Sequence, residues 1–273
     1  YNADRAVSRA KYSEEGWKRN IHLRVPVVNI AAMERGKDGF RSAVGFLTGD
    51  VWEFEFVQAV LYNYAPPCLQ FENLHDYGRV SLFSGGLDSL IGFIDGCSQL
   101  PAGKKVLLIS HAELGKEGKD QTRILGKCVD NGLFDGQYDR AFLSAGLNLH
   151  RGKTIETEAT FRARSILFFA AGVYCASAIS PNMPVTIPEN GTISLNIPLD
   201  KGRRSACSTR TTHPVFLSRL QSAMNAIGIQ NPLVNPYQQK KKKDMVDDCC
   251  QDTVRKTALM SLSSESCSCA KRS

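Results

Sequence analysis

Residues 84–89, Ser-Gly-Gly-Leu-Asp-Ser, set two glycines, two hydroxyls and a carboxylate between an apolar run and a helix-like stretch. Gly85 and Gly86 allow backbone conformations that a Cβ resists and let a ligand come close to the main chain. A helix starting here turns its unpaired N–H groups and positive dipole end toward the same loop. That combination suits a phosphate. Ser84 and Ser89 add hydroxyl donors. Asp88 is a poor neighbour for an anion unless it holds a metal ion or caps the helix. A helix cap accounts for one carboxylate or hydroxyl, but not for all five residues together.

Four further groups of residues have chemistry open to them. Arg162 and Arg164 open an apolar helical stretch, where arginine opposes the helix dipole. They are either a solvent-facing pair or a guanidinium contact to a phosphate or adenylate. Glu189-Asn190-Gly191 follows a strand-like run, at the kind of position where α/β folds bind ligands; as a bare turn, Asn-Gly is unremarkable. Lys240–Lys243 is the dense basic run, a solvated loop unless an anion lies beside it. The chain has nine cysteines without the dense framework of a small secreted domain. Cys68, Cys97, Cys128 and Cys175 sit singly and are expected to be reduced and structural. Cys249-Cys250 and Cys267-Ser268-Cys269 cluster near the end.

The elements that must position these residues follow from periodicity. From Arg79 onward, strand-like runs (80–83, 105–110, 140–143, 183–188) alternate with helix-like ones (from 89, 119–129, 161–179, 215–227). Such alternation implies an α/β unit with a parallel sheet covered by helices. Residues 1–78 form a separate module, β-rich or α+β. It has strands over 21–30 and 50–60, and Gly36, Gly39, Gly45 and Gly49 punctuate the region between them. Pro66-Pro67 marks the loop toward the second domain, residues 79–273.

SGGLDS resembles the SGGxDS signature of the N-type ATP pyrophosphatases, the PP-loop superfamily. The resemblance implies an adenine nucleotide alpha hydrolase-like, Rossmann-like fold and a loop that grips the pyrophosphate of ATP. It also implies α–β phosphate cleavage with transient adenylation of a substrate. In that setting Asp88 helps to place Mg2+ on the phosphates. The GxxxxGK[ST] loop is a different device, and the lysine it requires does not follow here.

The order of the later segments is similar to the 7-cyano-7-deazaguanine synthase (QueC-like) family: the R-x-R helix, Pro188-Glu189-Asn190-Gly191, Thr212-His213-Pro214, Lys242-Lys243-Asp244-Met245 and the final Ser-Cys-Ser. The likeness extends to its larger relatives in bacterial anti-phage operons, of the QatC type. It implies a phosphate loop on Ser84, Gly85, Gly86, Asp88 and Ser89, with Arg164, or Arg162 as the alternate, against the nucleotide. The resemblance also implies that Glu189 and Asn190 lie near the acceptor base and that Lys243 is a phosphate contact. The family's four-cysteine zinc site would begin at Cys267, with the remaining ligands expected beyond Ser273. The implied substrate is a deazaguanine-type small molecule, with ammonia or an amine on a defence-operon partner protein as the second reactant.

Two other readings stand beside this one. The first is another PP-loop enzyme, a tRNA-modifying thiolase or an amidotransferase's synthetase domain; no C-x-x-C occurs in the chain to carry sulfur. The second is a non-catalytic nucleotide-binding subunit. A net charge of +7 fits association with phosphates or nucleic acid without deciding between them, and nucleic acid is not expected as the direct substrate. The longest apolar run, 166–179, is shorter than the roughly 20 residues a bilayer requires, and the polar opening residues show no signal-peptide pattern. A cytoplasmic protein without membrane contact is expected.

Overall fold

The computed structural model describes residues 1–14, 18–60, 73–112, 115–144, 158, 163–195 and 210–266. In chain order the elements are α1 (Asn2–Ala6), α2 (Arg9–Tyr12), β1 (Ser13–Glu14), β2 (Lys18–Val27), α3 (Ile30–Thr48), β3 (Val51–Gln58), β4 (Tyr77–Leu82), α4 (Leu87–Gln99), β5 (Lys105–Ala112), α5 (Gly115–Asp130), β6 (Tyr138–Ser144), α6 (Arg164–Ile179), β7 (Val185–Thr186), α7 (Gly191–Ser194), α8 (Pro214–Ala226), β8 (Leu233–Val234), α9 (Lys242–Cys249) and α10 (Thr253–Leu262). They group into two compact units that are not consecutive in the chain. One holds Tyr1–Gln70, Gly146–Leu167 and Ile193–Gln230; the other holds Phe71–Ala145, Phe168–Thr192 and Asn231–Ser273. The chain therefore passes between units more than once, rather than dividing at residue 78, a position inside β4.

The second unit is an α/β layer structure around a five-stranded sheet in the order β6-β5-β4-β7-β8, with every pair parallel. Strands covered on both faces read as unbroken apolar runs, and Val106, Leu107, Leu108 and Ile109 of β5 are all fully buried. Leu90, Ile91, Phe93 and Ile94 place the whole girth of α4 in the core, as expected of a helix without a polar stripe. α9 and α10 join the same core through Met245, Cys249, Leu259 and Leu262. α6 lies close on β7: a Cβ on Gly172 would come 2.8 Å from Val185 Cγ1. The strand order reverses direction between β4 and β7. In open α/β sheets ligands bind at the carboxyl ends of the strands at such a reversal.

The first unit is built on a β2-α3-β3 turn of chain, with β2 and β3 parallel and the short β1 antiparallel to β2. The four glycines that punctuate the region between the two strands lie within or at the end of a 19-residue helix, α3. They are packing and capping glycines. A Cβ on Gly36 would stand 2.6 Å from Ile227 Cγ2, and one on Gly39 would stand 2.8 Å from Ala223 Cβ, so α3 and α8 approach too closely for side chains. Gly49 ends α3 in the left-handed region (φ 79°), its N–H donating to the Gly45 carbonyl. The module is thus α/β in its connection, with a parallel pair where composition alone suggested β-rich or α+β.

A buried ion cluster ties the first residues of this unit to its strands. Arg19, fully buried, donates to Asp50 Oδ2 at 2.6 Å, to the Asp4 carboxylate, and to the carbonyl oxygens of Asp4 and Val7. Arg9 forks onto both oxygens of Asp50 at 2.7 and 2.8 Å. Burial pushes the Asp50 carboxyl up, but the two arginines outweigh it and hold the group below its usual range. Among the described residues no helix is long and apolar enough to cross a membrane.

Candidate functional site

The loop between β4 and α4 is shaped by its glycines. Gly85 adopts φ +82°, a region that strains residues with a Cβ. Gly86 precedes the first turn of α4, which has no side-chain cap. In that state the first N–H groups of the helix lack intrahelical partners. Both hydroxyls brace the loop: Ser89 Oγ donates to the Gly86 carbonyl at 2.9 Å, and Ser84 Oγ lies 3.2 Å from Ser89 Oγ.

Asp88 sits on the first turn of α4, 7% exposed, and meets the segment that follows β7. Its Oδ2 accepts from the Asn190 backbone N–H at 3.0 Å and from Asn190 Nδ2 at 2.5 Å. Lys242 Nζ lies 3.1 Å from Oδ1. Burial would raise the Asp88 carboxyl. The Asn190 bonds, a bond to Glu189 and the Lys242 charge outweigh that and hold it below the ordinary carboxylate range. Glu189 moves the other way: burial, then the bond to Asp88 and its negative charge, push it up to about 8. At neutral pH the two carboxyl groups therefore share one proton, carried on Glu189.

The segment 235–243 is fastened beneath this pair. Asn235 Nδ2 donates to the Glu189 carbonyl at 2.8 Å, and Gly191 N–H donates to the Lys240 carbonyl at 2.7 Å. Gly191 has to be glycine here, because a Cβ would fall 2.3 Å from the Gln238 carbonyl oxygen. Tyr237 O–H reaches Asp95 Oδ2 at 2.6 Å, and Arg255 pairs with the other Asp95 oxygen at 3.1 Å. Asp95 lies two turns along α4 from Asp88, so one helix anchors the segment at both places. The basic run thereby arrives at the N-terminus of α9, where lysines oppose the helix dipole.

Of the residues singled out from sequence, Ser84, Gly85, Gly86, Asp88, Ser89, Glu189 and Asn190 come together at the β4–β7 reversal. Lys243 does not. It points to solvent and pairs with Asp247 one turn along α9, while its neighbour Lys242 reaches Asp88. The start of a helix turns adjacent side chains about 100° apart, and only one of the two faces the loop. Arg164 is the first residue of α6, half-buried, and falls in the first of the two units. Arg162 and Cys267 lie outside the described residues. Sequence reasoning missed Lys242, Asn235 and Tyr237. The Asn-Pro-Tyr turn before the lysines was the available signal for the last two.

Mg2+ usually takes one or two carboxylates and completes its shell with substrate phosphates and water. Asp88 Oδ1 fits that demand: it is buried, and the Asn190 bonds both go to Oδ2, which leaves Lys242 at 3.1 Å alongside Oδ1 as a charge partner. Among the described residues no group of three or more His, Cys, Asp or Glu side chains is suited to a metal ion. The expected zinc ligand Cys267 is not among those residues. Cys97, Cys128, Cys175, Cys249 and Cys250 are free thiols, the first four buried; Cys68 lies outside the described residues. The site is thus a glycine–hydroxyl–carboxylate loop at the switch point of a Rossmann-like parallel sheet. No protein-family model matches the chain, and no curated protein does.

Proposed function

We propose that the second unit is an ATP-dependent, AMP- and pyrophosphate-forming enzyme of the PP-loop kind. The supporting observation is the convergence, at the β4–β7 reversal, of the SGGLDS loop with Glu189, Asn190 and Lys242 around Asp88. The loop's N–H groups and hydroxyls receive the phosphates of ATP, and Lys242 offsets their charge. An acceptor oxygen, from a carboxylate or amide, attacks the α-phosphorus. The bond to the β-phosphate breaks, and pyrophosphate leaves with the electron pair. On an adenylated carboxylate, ammonia or an amine then displaces AMP from the acyl carbon and loses a proton, which gives an amide. On a primary amide activated by a second ATP, loss of AMP and of the two amide protons gives the nitrile. Mg2+, held through Asp88, would neutralise charge on the departing pyrophosphate. Glu189 keeps its proton near neutral pH and holds it toward Asp88.

The resemblance to the 7-cyano-7-deazaguanine synthase family supplies the acceptor, a 7-deazaguanine carboxylate. Its product would be a nitrile or a conjugate to a partner-protein amine. The test is pyrophosphate release from ATP by the full chain, with and without 7-carboxy-7-deazaguanine. Release stimulated by the acid is expected. ATP binding with no release under any acceptor would overturn the enzyme and leave a nucleotide-binding subunit.

Lysine substitutions probe the same site. Lys242→Ala is expected to slow pyrophosphate release about tenfold, the scale of one charge-assisted hydrogen bond. Lys243→Ala, removing a solvent-exposed pair, is expected to leave the rate within about twofold. The reverse ranking in initial-rate measurements would return the phosphate contact to Lys243.

A further inference from the structure

Past the last β4–β5 ladder bond, Phe83 N–H to the Ile109 carbonyl at 2.8 Å, the two strands diverge. Beyond that point Phe83 and His111 are buried and their carbonyl groups require donors from elsewhere, while Ser84 itself is exposed. Ser110 Oγ serves the Phe83 carbonyl at 3.3 Å. The next two carbonyls, of Ser84 and His111, share a single side chain: Gln121 Nε2, on α5, stands 3.3 Å from one and 3.1 Å from the other. Gln121 is 1% exposed. Its other end is claimed by Arg140 of β6, whose guanidinium donates to Gln121 Oε1 at 2.7 Å and to Thr122 Oγ1 at 2.9 Å. The guanidinium is itself seated on the Phe142 ring, 4.7 Å from its centroid. Arg140 thereby sets the amide's orientation, since a reversed amide would put oxygen against two carbonyls.

We infer that Gln121, oriented by Arg140, is a positioning residue for the phosphate-binding loop, an inference that rests on the ATP site proposed above. Ser84 is the first residue of that loop. In a trans peptide the carbonyl and the following N–H point in opposite directions. Anchoring the Ser84 carbonyl on Gln121 therefore turns the Gly85 N–H away from the sheet-side support. Gly85 rests on the same side chain, because a Cβ there would come 3.1 Å from Gln121 Cγ. The glutamine thus determines both the direction of the loop's first N–H and the height of its left-handed residue. A hydrophobic side chain of equal size would fill the space and leave the loop's first peptide free to rotate.

The experiment uses the full chain carrying Gln121→Met, which keeps length and removes both donors, and Gln121→Glu, which places an acceptor against two acceptors. Three quantities are compared with wild type: the KM for ATP against that for the acceptor, amide hydrogen exchange over residues 84–89 without ligand, and the melting temperature. The expected result is a KM for ATP raised about tenfold in either variant, with the acceptor KM and kcat within about threefold. Exchange quickens in 84–89, and the fold still melts cooperatively. Wild-type ATP affinity and loop exchange in both variants would overturn the inference. A uniform loss of kcat and of both KM values would do so too, since it would mark a merely structural amide. If wild type itself binds no ATP, the proposed function fails separately, and loop exchange still decides the role of Gln121. If both Gln121 variants fail to fold, Arg140→Lys serves. It keeps the charge but loses the fork, and unchanged loop exchange in that variant also overturns the inference.

Discussion

On the proposed mechanism, Asp88→Asn is expected to cost nearly all pyrophosphate release while the protein stays folded. The rate is expected to fall on the order of a hundred- to a thousandfold, the usual effect of removing one group that stabilises developing charge. Fold retention follows from the contacts. An asparagine oxygen in the position of Oδ2 still accepts both Asn190 bonds, and Lys242, half-exposed, can turn to water. Stability across pH supplies a second readout. Glu189, raised to about 8 from 4.5, binds its proton more tightly in the folded chain, so stability from this group is present at low pH and declines as pH rises from 4.5 toward 8. Asp88, lowered, contributes in the opposite sense: its share is present above its unfolded value and disappears as pH falls through the native one. Asn at position 88 removes the negative neighbour that helps to raise Glu189, so the melting temperature between pH 5 and 8 should flatten. An active site that strains its own fold is the common pattern. An active Asp88→Asn enzyme would end the proposed mechanism, and a variant that fails to fold would show Asp88 to be structural.

Local chemistry was the legible part of this chain. The SGGLDS loop declares itself because its glycines, hydroxyls and carboxylate lie within six residues, and the apolar runs on either side announce the strand and helix that carry it. β5 was legible for the same reason, since a fully buried strand leaves an unbroken apolar run, whereas the two-residue β8 was not read from the sequence. What escaped was decided by distant partners. Gly36 and Gly39 are unexplained in the sequence until Ala223 and Ile227 are found against them, nearly two hundred residues away. Lys242 and Lys243 are chemically identical in a run of four. Their assignment depends on the direction in which α9 begins, which Tyr237 and Asn235 set by bonds to Asp95 and Glu189. Gln121 carries no motif at all, because its role exists only where β4 and β5 part.

The ion cluster of the first unit predicts the largest stability effect. Asp50→Asn should lower the stability of that unit by about 3–5 kcal/mol, the penalty for breaking a buried pair from one side. The reason is arithmetic of charge. Asp50 is the carboxylate common to Arg9 and Arg19, and Asp4 is the other carboxylate bonded to the fully buried Arg19. Neutralising Asp50 removes the carboxylate that both guanidiniums share, and leaves Arg19 with Asp4 alone and Arg9 with Asp4 at 3.9 Å and the partly exposed Glu158 at 3.7 Å. The melting transition of the unit is expected to fall by about 6–20 °C. Asp50→Asn combined with Arg19→Gln should recover more than about 1 kcal/mol of the loss, because the neutral pair removes the stranded charge and the two sites couple directly. Acid should reproduce the single variant: the native carboxyl is lowered, so its stabilisation holds above its unfolded value near pH 4 and is lost as pH falls through the native one. A fall of less than 1 kcal/mol, or strict additivity in the double variant, would mean that solvent reaches the cluster and that the N-terminal segment is held by its apolar contacts instead.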